Sequence, residues 1–244
     1  MANSFFRFKQ FTVHQSDAVL KVSTEACILG AWATAPEGAA RFLDVGTGTG
    51  LLALMLAQRH PQATIDAVDA DETAVRQATK NAAASPFADR IRVFHQRIQD
   101  FFQSEIRNQK SAIAYDFIIA NPPFYQNNLR SPDAARNAAK HAESLTFDDL
   151  LASVHRLLAP AGRFVVLLPP FETERFLRKA AESGLFLHRQ LRVRHRSGGK
   201  LFRLVSELRF SETNAVFEDL NIHAPEGDYS PEFVELLKPY YLNF

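Results

Sequence analysis

Residues Ala114–Asn127, AYDFIIANPPFYQN, decide the fold. Asp116 to Ala120 is a short apolar run of the kind that makes a buried parallel strand. Asn121-Pro122-Pro123-Phe124 stops it abruptly, because proline has no N–H for a sheet ladder and turns the residue before it away from helix. Two prolines in a row hold a rigid, extended turn at the carboxyl end of the strand, where open α/β sheets bind their ligands. Asn121 brings an amide oxygen, Pro122 only its carbonyl, and Phe124 a flat apolar face. That set suits a planar NH2 group on an aromatic or amide substrate: two acceptors for its two hydrogens, and a ring to stack on it. A plain strand-ending turn can use the same residues, so the rest of the chain decides between the two.

Outward from this stretch the pattern is regular. On its amino side lie a strand at Phe42–Val45, the loop Gly46-Thr47-Gly48-Thr49-Gly50 and a helix at Leu51–Arg59. A strand at Ala63–Val68, a helix from an N-cap at Asp71 to about Ala84, a strand at Ile91–Phe94 and a helix near Gln99–Asn108 follow. On its carboxyl side, after a polar loop, come a helix at Phe147–Leu158 closed by Pro160 and Gly162, a strand at Phe164–Leu168 and a helix at Glu172–Ser183. Two long strands, Phe186–His195 and Leu201–Phe210, are joined by Ser197-Gly198-Gly199 as a hairpin. This alternation predicts an α/β fold: a doubly wound, seven-stranded, mostly parallel Rossmann-like sheet with a C-terminal antiparallel hairpin. Residues 7–13 predict a short strand or hairpin over the domain, Thr24 reads as the N-cap of a helix Glu25–Ala35, and the tail reads as partly irregular. The expected division is 1–40 as a closing segment, 41–210 as the main domain and 211–244 as a tail packed on it.

Composition narrows the function classes. With 244 residues, 46% hydrophobic and 23% charged, the chain fits one large α/β domain with a small extension. A net charge of +1 gives no global pull toward nucleic acid or membrane. Cys27 stands alone, which excludes an internal disulfide and a cysteine metal cluster and fits a reducing cytoplasm. The start MANSFFRFKQF lacks the apolar segment of a signal peptide, and no apolar stretch approaches the ~20 residues of a membrane span, so no membrane partner is expected. There is no H-E-x-x-H, no G-x-S-x-G and no P-loop, and Asp148-Asp149 reads as helix capping, so no metal is expected.

The glycine loop selects the cofactor. A dinucleotide fold shows G-x-G-x-x-G with helix amides facing a pyrophosphate. Here the spacing is G-x-G-x-G across Gly46, Gly48 and Gly50, and an acid, Asp44, precedes it. Glycines let the backbone approach a ligand closely, and the acid favours an amino-bearing or cationic ligand. S-adenosyl-L-methionine carries both an ammonium and a sulfonium. Asp69, at the end of the next strand, is placed to accept both ribose hydroxyls.

FLDVGTGTGLL, VDAD and NPPF, in this order, resemble the class I S-adenosylmethionine-dependent N-methyltransferases over roughly residues 40–210. FRFKQFTVHQ, KVSTEACILGAW and Ala139-Lys140-His141 extend the likeness to the tRNA(Val) adenine-37 N6-methyltransferase family. The resemblance implies a cytoplasmic enzyme that methylates the exocyclic amine of adenine 37 beside the anticodon. It further implies that Asp44, Gly46 and Gly48 line the methionine end of the donor and that Asp69 holds the ribose. Gln10, Lys21, Val22 and Thr24 would close over the donor, and Asn121, Pro122, Pro123 and Phe124 would hold the target base. The chain departs from the family at Asp69, where Glu is frequent, at Glu25, where Asp is common, and at Arg97, where an acid usually meets the donor's adenine. Gln96 is the substitute for that last contact.

An RNA partner has a local signature. His188–Arg203 carries Arg189, Arg192, Arg194, Arg196, Lys200 and Arg203 without an acid, and strand periodicity puts Arg192, Arg194 and Arg196 on one face. Such a row suits phosphates, or else a solvated edge strand protected by charge. Arg7, Lys9, Arg130, Arg136 and Lys140 would complete a track, and residues 125–145 form a long loop directly after the turn. Three rivals stay open: methylation of a protein glutamine amide, methylation of a ribosomal RNA guanine N2 or adenine N6, and a silent RNA-binding module. Enzymes of the first kind usually carry Tyr after the prolines.

Overall fold

A computed structural model describes residues 3–16, 21–101, 114–122 and 145–244. The segment Asp116–Ala120 lies in β6 (Tyr115–Ala120), the fifth strand along an eight-stranded sheet counted from the outer edge near residue 216. The other strands are β3 (Arg41–Val45), β4 (Thr64–Asp69), β5 (Ile91–His95), β7 (Leu158–Leu168), β8 (Phe186–Arg196), β9 (Leu201–Arg209) and β10 (Val216–His223). Their order is β10-β8-β9-β7-β6-β3-β4-β5. β9 runs antiparallel to β7 and β8, and the remaining neighbours are parallel. The order in which successive strands are added reverses between β3 and β6, which run parallel, and this is the switch point where such sheets open a crevice.

β3, β4 and β6 read as near-continuous apolar runs because helices cover both faces. One face carries α1 (Thr24–Trp32), α2 (Leu51–Arg59) and α3 (Glu72–Ala83), and its core includes Ile28, Leu52, Met55 and Phe117. The other carries α4 (Phe147–Leu157) and α5 (Pro170–Glu182), with Leu151, Phe164 and Phe176 inside. Local chemistry sets the ends: Asp71 caps α3 by accepting from Thr73 and Ala74, and Thr146 with Asp149 forms a capping box on α4. α1 begins one residue earlier than expected, because Ser23, and not Thr24, is the N-cap and accepts from Ala26 N.

The sheet has eight strands where the sequence predicts seven. The eighth, β10, lies in the tail that the sequence reads as partly irregular; Glu218 and Asp219 interrupt its apolar alternation. Those two carboxylates are cross-strand partners of β8: Arg189 reaches Glu218 at 2.9 Å, and Arg192 and Arg194 share Asp219. β8 is therefore not an edge strand. Trp32 completes the seam, its indole N–H donating to Glu218 at 3.1 Å under the Arg189 guanidinium.

The N-terminal hairpin, β1 (Phe5–Arg7) with β2 (Thr12–His14), and the C-terminal helix α6 (Pro231–Leu237) close the same face as α1 and α2. Phe8, Phe11, Phe233, Leu237 and Tyr240 join the first core, so hairpin and tail share one apolar interior with the main domain. Phe233→Ala should cost about 3–5 kcal/mol and leave one cooperative urea transition. A separate early transition for the tail would contradict this shared core.

Candidate active site

The carboxyl ends of β4, β3 and β6 meet in one transverse row. Val45 pairs with Val68 on one side and Ala120 on the other, so Asp69, Gly46 and Asn121 stand side by side one residue further on. With strands about 4.8 Å apart, Asp69 and Asn121 lie about 10 Å from each other with a glycine between them. Asn121 is half-buried and its side chain meets no hydrogen-bond partner among the described residues, while Pro122 is buried. Pro123 and Phe124 lie outside the described residues, as do Arg130, Arg136 and Lys140.

The loop after β3 turns on Gly46, Gly48 and Gly50, with φ of 71°, 57° and 81°, a region side-chain-bearing residues rarely enter. A Cβ on Gly46 or Gly48 would meet nothing within 4 Å, so these two border open space. Gly50 differs. Its Cβ would stand 3.4 Å from Ala78, so this glycine lets the start of α2 approach α3 closely. Asp69 Oδ2 accepts from Gly48 N at 2.9 Å and Oδ1 from Asp71 N at 2.9 Å, which leaves lone pairs on both oxygens. Gln96 follows β5 directly beside it, its N–H donating to the Asp69 carbonyl at 2.9 Å.

Asp44 is the chemical centre of the row. It is fully buried, and its Oδ2 accepts from the Thr47 hydroxyl at 2.6 Å and from Ala53 N at 3.2 Å. Its Oδ1 is buried and has no partner among the described residues. Asp66, in the same sheet, shows the contrast: Arg92 grips both of its oxygens at 2.8 Å and the Tyr115 hydroxyl donates at 2.7 Å. An unanswered carboxylate oxygen beneath a glycine loop is free to accept from a ligand. Burial pushes the Asp44 carboxyl up to about 7, against the pull of the Thr47 and Ala53 hydrogen bonds, and the neighbouring Asp69 raises it further. A cationic amine at Oδ1 would answer both the missing bond and the missing charge, so these residues fit the amino end of S-adenosylmethionine.

Two supports hold the loop. Asn81 of α3, buried, donates to the carbonyls of Thr49 and His14 and accepts from His14 N, which bolts the loop to β2. The sequence reading missed it, although an asparagine among the alanines of a buried helix face is a readable signal. Arg59, at the end of α2, donates to the carbonyls of Ala31 and Ala33 at the end of α1. The two helices thus run side by side in one direction, with Gly30 against Met55 and Leu52. Their N termini, Thr24 and Leu51, come to the same edge of the sheet as the glycine loop, and Glu25 is tied to Arg203 of β9 at 3.0 Å. Lys21 and Thr24 are exposed there, and Val22 is held by Gln15 Oε1 at 2.8 Å.

Other expected residues lie elsewhere. Gln10 sits in the turn of the β1–β2 hairpin, the end opposite His14, where Lys9 N donates to the Tyr240 carbonyl. The structure therefore does not bring Gln10 to the loop. Lys9 Nζ donates to the carbonyls of Lys238 and Phe244, so this cation fastens the tail and is not free for phosphate. Arg192 and Arg194 share Asp219, whereas Arg196 is exposed and in no ion pair among the described residues. Arg7 is exposed on the hairpin. No group of three or more metal-binding side chains occurs among the described residues, and no helix among them is long and apolar enough to cross a membrane.

Comparisons with known proteins show the family and the fold. Residues 32–167 match the methyltransferase small domain family. A protein of Dyadobacter fermentans named tRNA1(Val) (adenine(37)-N6)-methyltransferase is 48% identical over 99% of both chains. One of the same name from Bacteroides thetaiotaomicron is 42% identical over 100% of this chain and 99% of its own. A solved O-methyltransferase structure from Agrobacterium tumefaciens superposes with a TM-score of 0.67 at 18% identity, over 89% of this chain and 99% of that one, which shows the shared fold.

Asp44 makes stability depend on pH in a definite direction. Its carboxyl titrates at about 7 in the folded chain against 3.8 unfolded, so the unfolded chain releases this proton first. Its contribution is intact below 3.8 and is lost as pH rises through 7. Urea denaturation should therefore show Asp44→Asn more stable than the parent at pH 8, by up to roughly 4 kcal/mol, and equal to it near pH 4. Equal stability at both would remove the burial argument.

Proposed function

The chain belongs to the family of tRNA1(Val) (adenine(37)-N6)-methyltransferases, and on that premise we propose that it transfers a methyl group from S-adenosyl-L-methionine to N6 of adenine 37 in the anticodon loop of tRNA(Val). The observation that carries the reading is the row Asp69–Gly46–Asn121 above the half-answered Asp44. Asp44 would hold the ammonium of the donor and Asp69 its ribose hydroxyls. S-adenosyl-L-methionine supplies a methyl group on a cationic sulfur. The protein's own task lies with the acceptor. The exocyclic nitrogen of adenine is a weak nucleophile because its lone pair is delocalised into the ring.

The Asn121 Oδ1 and the Pro122 carbonyl accept its two N–H bonds. That draws the nitrogen toward a pyramidal shape and localises its lone pair toward the donor. Orientation and fixed dipoles are the main contributions, and no covalent intermediate with the protein is needed. Phe124, by its place in the sequence, would stack on the base, a contact worth ~1–3 kcal/mol. An adenine in a single-stranded loop is splayed out at lower cost than one in a duplex. Acting on tRNA, the enzyme would work in the cytoplasm.

The two ends of the row separate by mutation. Asn121→Ala should abolish methyl transfer to tRNA while calorimetry finds donor affinity within a few-fold of the parent. Asp44→Asn should weaken donor binding by at least about tenfold, the loss of one charged hydrogen bond in a buried site. Normal turnover in Asn121→Ala would take that residue out of the mechanism.

RNA contact is expected at the β8–β9 turn. β8 runs in the direction of β7, so Arg196 and Lys200, both exposed, stand at the same edge of the sheet as Asn121. Replacing both with Ala should weaken tRNA binding and lower the slope of log affinity against log salt by about 1–2. Replacing Arg192 and Arg194 should do less, because Asp219 already holds them. The opposite ranking would move the RNA path toward β10.

A further inference from the structure

Two neighbouring strands run into the same three residues: β6 into Pro122-Pro123-Phe124, and β7 into Pro169-Pro170-Phe171. β6 and β7 are paired in parallel, Ala120 beside Val166, so the second triplet opens α5 at the same edge of the sheet as Asn121, one strand over. Phe171 is 66% exposed, the highest value among the large hydrophobic side chains described. The helix does not need it there: α5 is anchored through Thr173, Phe176 and Ala180, all buried. Pro170 at the first helical position fixes the backbone just before the ring, so the ring is presented from a stiff mount. Arg175, one turn along the helix, holds its guanidinium 5.8 Å from the ring centroid and takes part in no ion pair among the described residues.

An exposed ring beside a free cation, next to an amine clamp, is a poor feature for solubility and a good one for an unstacked base. Extruding the target nucleotide leaves the faces of its neighbours without a stacking partner. A plate one strand away, about 5 Å along the sheet, is within reach of the adjoining nucleotide, and the guanidinium can meet the phosphate between them. Further along the same edge lie the exposed Arg196 and Lys200, so the plate sits between the clamp and the cations.

We propose that Phe171, backed by Arg175, is a stacking platform for the nucleobase adjacent to the methylated adenine. The inference rests on the tRNA reading of the neighbouring clamp. Stacking of this kind tolerates any base, so it would add affinity and register more than sequence preference.

The test uses the full chain, S-adenosyl-L-methionine and a tRNA anticodon stem-loop with 2-aminopurine at the nucleotide flanking the target. The parent should quench the probe on binding. Phe171→Leu keeps an apolar side chain without a ring. It should raise KM for the RNA about tenfold or more and abolish the quench, with donor affinity and Tm unchanged. Phe171→Trp should restore both, and Arg175→Ala should give a smaller KM increase. Unchanged KM and quench in Phe171→Leu would overturn the platform while leaving the clamp intact. The same kinetics with a loss of self-association on sizing would also overturn it and assign the ring to a protein contact. A parent protein that methylates no RNA would overturn the platform together with the reading beneath it, and that failure is visible before any variant is made.

Discussion

One carboxylate oxygen sets the terms for this molecule. Asp44 is buried at the end of β3 with Oδ2 engaged by Thr47 and Ala53 and Oδ1 without a partner among the described residues. Such a group is costly in a protein interior, since its charged form lacks both solvent and a counter-ion. The glycine loop above it, open on its ligand side at Gly46 and Gly48, is the means by which a counter-ion could reach it. Stability in the empty state is thereby exchanged for affinity in the loaded one. Asp66, on the adjacent strand β4 and held by Arg92 and Tyr115, shows by contrast a buried carboxylate whose oxygens are both answered within the sheet.

Around that site the rest of the chain acts as a brace. Asn81 ties loop to hairpin, Arg59 ties α2 to α1, and Asp116 ties β6 to the start of β3 by accepting from Ala40 and Arg41. These bonds fix backbone positions that have no regular ladder to hold them. Asp69, Gly46 and Asn121 are thus placed by strand register, which suits the alignment that the proposed reaction requires.

Much of this was legible in the sequence, for physical reasons that can be named. Parallel strands announce themselves as short apolar runs, and the Asn-Pro-Pro and Gly-x-Gly-x-Gly breaks fall at their carboxyl ends because only there can backbone leave the ladder toward a ligand. Asp71 and Asp149 were readable as caps because their chemistry is local. What escaped was long-range. β10 hides its alternation behind Glu218 and Asp219, which make sense only opposite the arginines of β8. Lys9 looks like a free cation until Lys238 and Phe244 are seen beside it, and Gln10 looks adjacent to the donor segment until the hairpin carries it to the far turn. Gly50 shares its neighbours' motif but not their surroundings.

The hairpin also bears on how the chain folds. Phe6, Phe8 and Phe11 are covered by Tyr241, by one another and by Phe87, and Lys9 bonds a carbonyl 229 positions away. Phe6 and Phe8 thus draw part of their cover from Tyr241, a residue far along the chain from them. Seating the hairpin is therefore a long-range event, of the kind that forms slowly because loop closure must precede its contacts.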